Sequence, residues 1–292
     1  MHAADDFSAR LRLWAEAFDS VEGFFGPSSA TWKINREVAI YLGGMRALLM
    51  QIAHPKVAQG VADHSNFRED PFARLRRTFD TVHAMVFGSR EDALVAAERL
   101  HRVHERVSGS LASPVAGMDP HYFANDPDLL LWVHATLVDS SLYAYDTFFP
   151  PLPRAELERF YEESKTFGRL AGLGSDVLPS SLEDFRAYLH AMLTGPSIEV
   201  VPVAREIADA LLKGPPLLYL FRPSNYVLAA GMLPASLRAE LGLAWTLPVR
   251  TAYHVGVKLV QTVTPRLPPA LRYIPSARKA ERRCAARAAL AA

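Results

Sequence analysis

Residues 38–52, VAIYLGGMRALLMQI, set the fold class. Val38, Tyr41, Leu42, Met45, Leu48, Leu49 and Ile52 recur at the helical period. Ala39, Ile40, Gly43, Gly44, Ala47 and Met50 make the remaining face almost as apolar. A helix apolar on nearly all sides belongs in the centre of a core. Gly43 and Gly44 lower helix propensity by roughly 1 kcal/mol each. They are best explained by close approach of another helix or of a flat ligand. His54-Pro55 ends this helix and opens the next, because proline suits a first helical turn.

The same period continues outward. Phe72, Leu75, Phe79, Val82 and Val86 predict a helix from Pro71 to Phe87. Glu91 to Val107, Asp126-Pro127 to Phe148, Pro153 to Leu170 and Ser180 or Ser181 to Met192 follow. Shorter helices are expected over Pro202 to Leu212 and Pro234 to Leu241. Val200-Val201 and Leu217 to Phe221 could form short strands, but no alternating partners exist to build a sheet. The expectation is all-α: one helical domain over 21–260, an amphipathic segment over 1–20 and a basic tail over 261–292.

Composition narrows the chemistry. Half of the 292 residues are hydrophobic, and 32 Lys and Arg face 31 Asp and Glu, a net charge of +1. That supports a packed core and argues against nucleic-acid binding, which brings a basic excess. The single cysteine, Cys284, excludes an internal disulfide framework and a Cys-rich metal site. Neither a secretory signal nor a run of eighteen apolar residues is present, so the expected location is the cytoplasm. From Arg266 onward seven basic residues face one acid, Glu281. Such a run reads as a solvated helix, or as a weak contact with an acidic partner or an anionic membrane surface.

Histidine is the feature to explain. Seven of the ten, His54, His64, His83, His101, His104, His121 and His134, fall between 54 and 134. His104 lies within the stripe of Ala93, Ala96, Ala97, Leu100, Val103 and Val107, whose alanines leave room beside an imidazole. A neutral histidine facing an apolar hollow suits the proximal side of a haem iron. His101 is turned toward the polar flank. Arg74 and Thr78 share a face one turn apart. They can hold an anion such as a haem propionate or bond a substrate oxygen; equally, Arg74 is a surface residue and Thr78 bonds the preceding turn. His134 is a second ligand, a pocket acid–base, or a core residue bonded to a carbonyl. A di-iron site is the competing metal reading: Glu98-x-x-His101 has the spacing, and Asp80-x-x-His83 fits loosely, but Glu98 and His101 fall on the polar side of their helix. Nucleophile-elbow, phosphate-loop and zinc-protease patterns are absent.

Arg74-x-x-x-Thr78, then His104-x-x-Val107-x-Gly109, resemble the family that includes the rubber oxygenase (latex clearing protein) and the MpaB-type oxygenases. His54-Pro55, His64-Ser65-x-Phe67, Tyr122-x-Ala124-x-Asp126-Pro127 and Trp132-Val133-His134-Ala135-Thr136 are further landmarks, and the resemblance covers roughly residues 25 to 245. It implies an all-helical fold with a globin-like core around haem b. His104 would be the proximal ligand, Arg74 and Thr78 the pocket motif, and His134 a second pocket histidine. Gly43 and Gly44 would border the cofactor. The implied activity is oxidative cleavage of carbon–carbon double bonds with dioxygen, on a small apolar, isoprenoid-like substrate. Rubber-cleaving members carry a lysine before the motif threonine; here it is Arg77, which has no lone pair for iron. Arg77 or His134 would then polarise dioxygen. Rubber-cleaving members are also secreted, so polymeric rubber is not the expected substrate. A haem carrier or sensor without turnover is the other haem-binding expectation.

Overall fold

The computed structural model describes residues 3–65, 71–213 and 222–291, leaving outside it the side chains of 3–5, 71–75, 222 and 291. The chain is all-α. Its helices are α1 (Ala3–Ala15), α2 (Ala30–Asn35), α3 (Gly44–Gln51), α4 (Pro55–His64), α5 (Pro71–Phe87), α6 (Arg90–His104), α7 (Pro127–Phe148) and α8 (Arg154–Leu170). Then come α9 (Leu182–Thr194), α10 (Pro202–Lys213), α11 (Arg222–Met232), α12 (Ala235–Glu240), α13 (Leu247–Val263), α14 (Pro269–Arg272) and α15 (Pro275–Ala291). Strands β1 (Ser108–Ser110) and β2 (His121–Phe123) form one antiparallel hairpin.

Capping chemistry sets several boundaries. Ser89 and Asp92 close a capping box on α6, and Ser181 and Asp184 close one on α9. Asp126 accepts from the Asp128 amide at the start of α7, with Pro127 in the first turn. α7 is the central helix. Trp132, Ala135 and Ala144 are fully enclosed, and the main core cluster gathers around them.

The 38–52 stretch departs from the single helix expected of it. Val38–Gly43 winds as a 3-10 helix, and α3 begins only at Gly44. The cause is contact with α7: a Cβ on Gly43 would lie 2.9 Å from Ala144 Cβ and 3.0 Å from the Ser140 carbonyl oxygen. The backbone tightens to make that approach. The other expected helices are present with ends shifted by a few residues. The β1–β2 hairpin was not expected; its strands are too short to show a period. Val200-Val201 is not a strand, and Leu217 to Phe221 lies outside the described residues.

A second core cluster joins α1, α2, α5, α6 and α15 through Leu11, Trp32, Met85, Ala93, Ala97 and Ala277. It corrects the reading of Glu98 as a polar-face residue. Glu98 is buried and accepts from Arg12 Nε of α1 at 2.7 Å. Tail residues also turn inward. Arg272 makes a forked pair with buried Glu37 at 2.7 and 2.8 Å, and Arg283 donates to the carbonyls of Val21 and Phe87. Arg287 pairs with Asp19.

Arg46 is a buried cation that periodicity did not single out. From α3 it donates to the Met232 carbonyl at 2.9 Å and to Ser140 Oγ at 2.8 Å, and its Nη2 lies 2.5 Å from Asp139 Oδ2. Its guanidinium also stacks over Tyr143. Arg46→Ala strands Asp139 and leaves Ser140 and the Met232 carbonyl unpaired. We expect a loss of about 3 kcal/mol in urea unfolding, with a smaller loss for Arg46→Met.

Candidate functional site

An apolar cavity of about 100 Å³ opens where α5, α7 and α8 meet α2 and the 3-10 corner. Its walls include Gly43, Gly44 and Ala47, then Thr78, Phe79 and Val82 of α5. Leu137 and Val138 of α7 and Phe160 and Phe167 of α8 close it. Three residues selected from the sequence, Gly43, Gly44 and Thr78, thus converge on one hollow. The glycines serve close packing. Where Gly43 meets α7, Gly44 faces the Phe79 ring, whose Cζ would be 3.1 Å from an added Cβ.

Polar groups on the wall are few. Tyr41 reaches it from the 3-10 helix, and its hydroxyl lies 2.7 Å from His83 Nε2. Burial raises the Tyr41 phenol above its ordinary range and lowers the His83 imidazole below its own. The pair was legible only as a helical repeat: His83 follows Phe79 by one turn on α5, while Tyr41 comes from another element. Asn35 uses its amide on the Thr31 carbonyl, and Ser164 donates to that of Tyr161.

His134 is 2 % exposed, and neither ring nitrogen has a hydrogen-bond partner. A carbonyl-bonded core histidine is therefore not what the structure shows. Its ring stacks on Phe167, centroids 6.1 Å apart, and Phe167 in turn lines the cavity. On α7 it sits one turn before Leu137 and Val138, on the same face. Desolvation lowers its pKa to about 4, so it is neutral at ordinary pH. His54 is lowered to about 4 as well, by burial first and by Lys56 second, against the pull of Asp126.

Among the described residues, His104, His101 and Arg77 are not on the cavity wall. His104 is half-buried at the last position of α6, and neighbouring Val103 is 52 % exposed. The room expected beside Ala93 and Ala97 is filled, since both are fully buried in the second core cluster. His101 is covered rather than turned to solvent: Phe7 of α1 stacks on it at 4.0 Å. Arg77 is exposed, one position round α5 from Thr78. The Arg74 side chain lies outside the described residues. Its backbone belongs to the first turn of α5. α5 and α6 run antiparallel from the bend at Gly88–Ser89, so His104 stands level with that turn.

The motif around Gly109 has a structural explanation. Tyr122, paired opposite it in the hairpin, is buried and donates to Asp63 at 2.6 Å. A Cβ on Gly109 would meet the Tyr122 hydroxyl oxygen at 2.5 Å.

A haem needs a neutral imidazole and apolar walls, with a cation for its propionates. The donor types are present but are not gathered on one hollow: His134 is held neutral by burial and stacks on a wall residue, while His104 stands off the wall, level with the turn carrying Arg74. The hollow, near the scale of a cavity that takes one benzene ring, is sized for part of a small substrate. Among the described residues no three His, Cys, Asp or Glu side chains gather as a metal site, and Glu98 is committed to Arg12. A di-iron centre finds no support there.

The catalytic-domain family described as ER-bound oxygenase mpaB/B'/rubber oxygenase matches residues 32–262. An uncharacterized protein of Mycobacterium bovis is 28% identical over 206 residues, covering 68% of this chain and 78% of its own. One of Mycobacterium tuberculosis matches with the same values. No solved structure matches the chain.

Burial of neutral histidines makes stability depend on pH. The unfolded chain takes up protons on His134 and His54 below about pH 6.5, whereas the folded chain resists until about pH 4. Stability is therefore fully present above that window and falls as the pH drops through it. His134 accounts for about 3 kcal/mol of that fall. Urea unfolding at about pH 7 and about pH 4.5 measures it, and His134→Leu should flatten the difference.

Proposed function

The chain belongs to the mpaB/rubber oxygenase catalytic-domain family, and from that membership we propose that it is a haem b-dependent oxygenase of small apolar alkenes, isoprenoid-like in character. The observation that carries this reading is the convergence of Gly43, Gly44 and Thr78 on a hollow with almost entirely apolar walls. Such walls desolvate a hydrocarbon and give it no charge to answer. Bound haem iron supplies the dioxygen chemistry, here the oxidative cleavage of a carbon–carbon double bond.

The residues divide the remaining work. His104 would hold the iron from the end of α6. Arg74 answers the propionates or an anionic group from the first turn of α5, and Thr78 brings a hydroxyl to the cavity wall. Neutral His134 orients against Phe167 and offers one N–H donor and one acceptor to an oxygen beside it. Phe79, Val82, Leu137 and Val138 align the alkene and exclude water. Exposed Arg77 has no role in this scheme.

Protein purified from haem-sufficient cells should show a Soret band. His104→Ala should lose it, and His101→Ala should keep it. Absence of the band together with no haem uptake on titration rejects the cofactor. Val82→Phe fills the hollow. It should keep the Soret band while abolishing alkene-dependent dioxygen uptake across a panel of small terpenoid alkenes. Haem binding with no uptake on any of them would instead identify a carrier or sensor.

A further inference from the structure

α13 takes no part in the cavity. It packs on α7 and α11 through buried Tyr253, with Val249, Val257 and Val260 half-buried beside it. Its opposite side is open. Val255 and Leu259 are each 62 % exposed and Val263 41 %. With exposed Ala252 they form one row at steps of three and four. Arg250, His254 and Lys258, all exposed, form a second row beside it at steps of four. Leu247, before the row, and Leu271, after it, are exposed as well. No Asp or Glu occurs between Glu240 and Glu281.

We propose that this face of α13 is an interfacial surface that seats the protein on an anionic lipid bilayer. Among the described residues no helix is long and apolar enough to cross a membrane. A helix lying in the interface needs what α13 displays: an apolar row to enter the acyl boundary and cations, Arg250 and Lys258, to meet headgroup phosphates. Charge excludes the nearest alternative. A second copy docked through a two-fold axis would bring the same row of Arg250 and Lys258 against itself, and α13 carries no acid of its own to answer it. The side-chain types argue against a protein partner too. Protein hot spots favour Trp, Tyr and Arg, and interfaces are poor in Lys. Here the apolar row is Ala, Val and Leu beside Arg250, His254 and Lys258, and Tyr253 is buried inward, so Arg250 is the one residue of a hot-spot type on the open face. The surface is distinct from the basic tail, several of whose arginines are engaged within the fold.

Co-sedimentation of the full chain with phosphatidylcholine–phosphatidylglycerol vesicles tests this, with pure phosphatidylcholine vesicles as reference. Binding should require the anionic lipid and weaken as salt rises. Leu259→Asp should abolish it. Lys258→Gln and Arg250→Gln should weaken it about fivefold each. All three positions are exposed, and an unchanged melting temperature verifies that the fold persists. Lys279→Gln with Arg282→Gln in the tail should leave binding nearly intact. The proposal is overturned if the protein ignores anionic vesicles at low salt, or if Leu259→Asp binds like the parent. Binding lost only in the tail variant, or a solution dimer that Leu259→Asp dissociates, overturns it equally. None of these readouts involves haem or turnover, so the oxygenase reading stands or falls separately.

Discussion

The guanidinium of Arg46 is the constraint on which the cavity corner depends. A cation among Ala47, Leu49 and Met50 is tolerable only with its donors satisfied. The partners come from two helices: Ser140, Asp139 and the Tyr143 ring on α7, and the Met232 carbonyl at the end of α11. Those bonds fix α3 against α7 in register. That register sets Gly43 against Ser140 and Ala144, and it turns Gly44 and Ala47 toward the hollow. An apolar cavity thus owes its shape to a polar anchor placed just behind its wall.

The division between apolar lining and sparse polar groups follows from this. Most polar atoms near the hollow have partners within the protein: Asn35 on Thr31, Ser164 on Tyr161, Tyr41 with His83, Ser140 with Arg46. A guest therefore meets mainly hydrocarbon and aromatic surface, with specificity left to shape and to a handful of hydroxyls. His134 differs, because burial without a hydrogen-bond partner costs free energy that the fold must offset elsewhere. Costly unpartnered groups are kept most readily where a ligand answers them, and His134 stacks on a residue of the cavity wall.

Much of the architecture was legible because local signals agreed. Asp126-Pro127 and Ser181 with Asp184 mark helix starts that the structure reproduces, and the apolar period of 71–87 gives α5 nearly to the residue. Legibility failed where a distant element decides the outcome. A helical wheel puts Glu98 on a polar face, and only the arrival of Arg12 from α1 makes burial bearable. The small residues Ala93 and Ala97 read as space for a ligand and prove to be space for other helices. Gly43 and Gly44 mark a place of close approach, yet periodicity does not reveal the 3-10 winding that precedes it. Arg46, embedded in an apolar run, carried no period at all. The hollow itself is lined from six elements, and no window of sequence contains it.

One consequence concerns the order of synthesis. Arg272 grips Glu37 at the foot of the 3-10 corner, the Ile274 amide donates to the Arg36 carbonyl, and Arg283 ties the carbonyls of Val21 and Phe87. These clasps come from residues that leave the ribosome after every helix lining the hollow has already emerged. The nascent chain can build α3, α5, α7 and α8 early, but the corner that completes the pocket is locked only when residues 272–283 fold back to the start. Maturation of this pocket is therefore a late event of biogenesis, reserved for chains translated past that point.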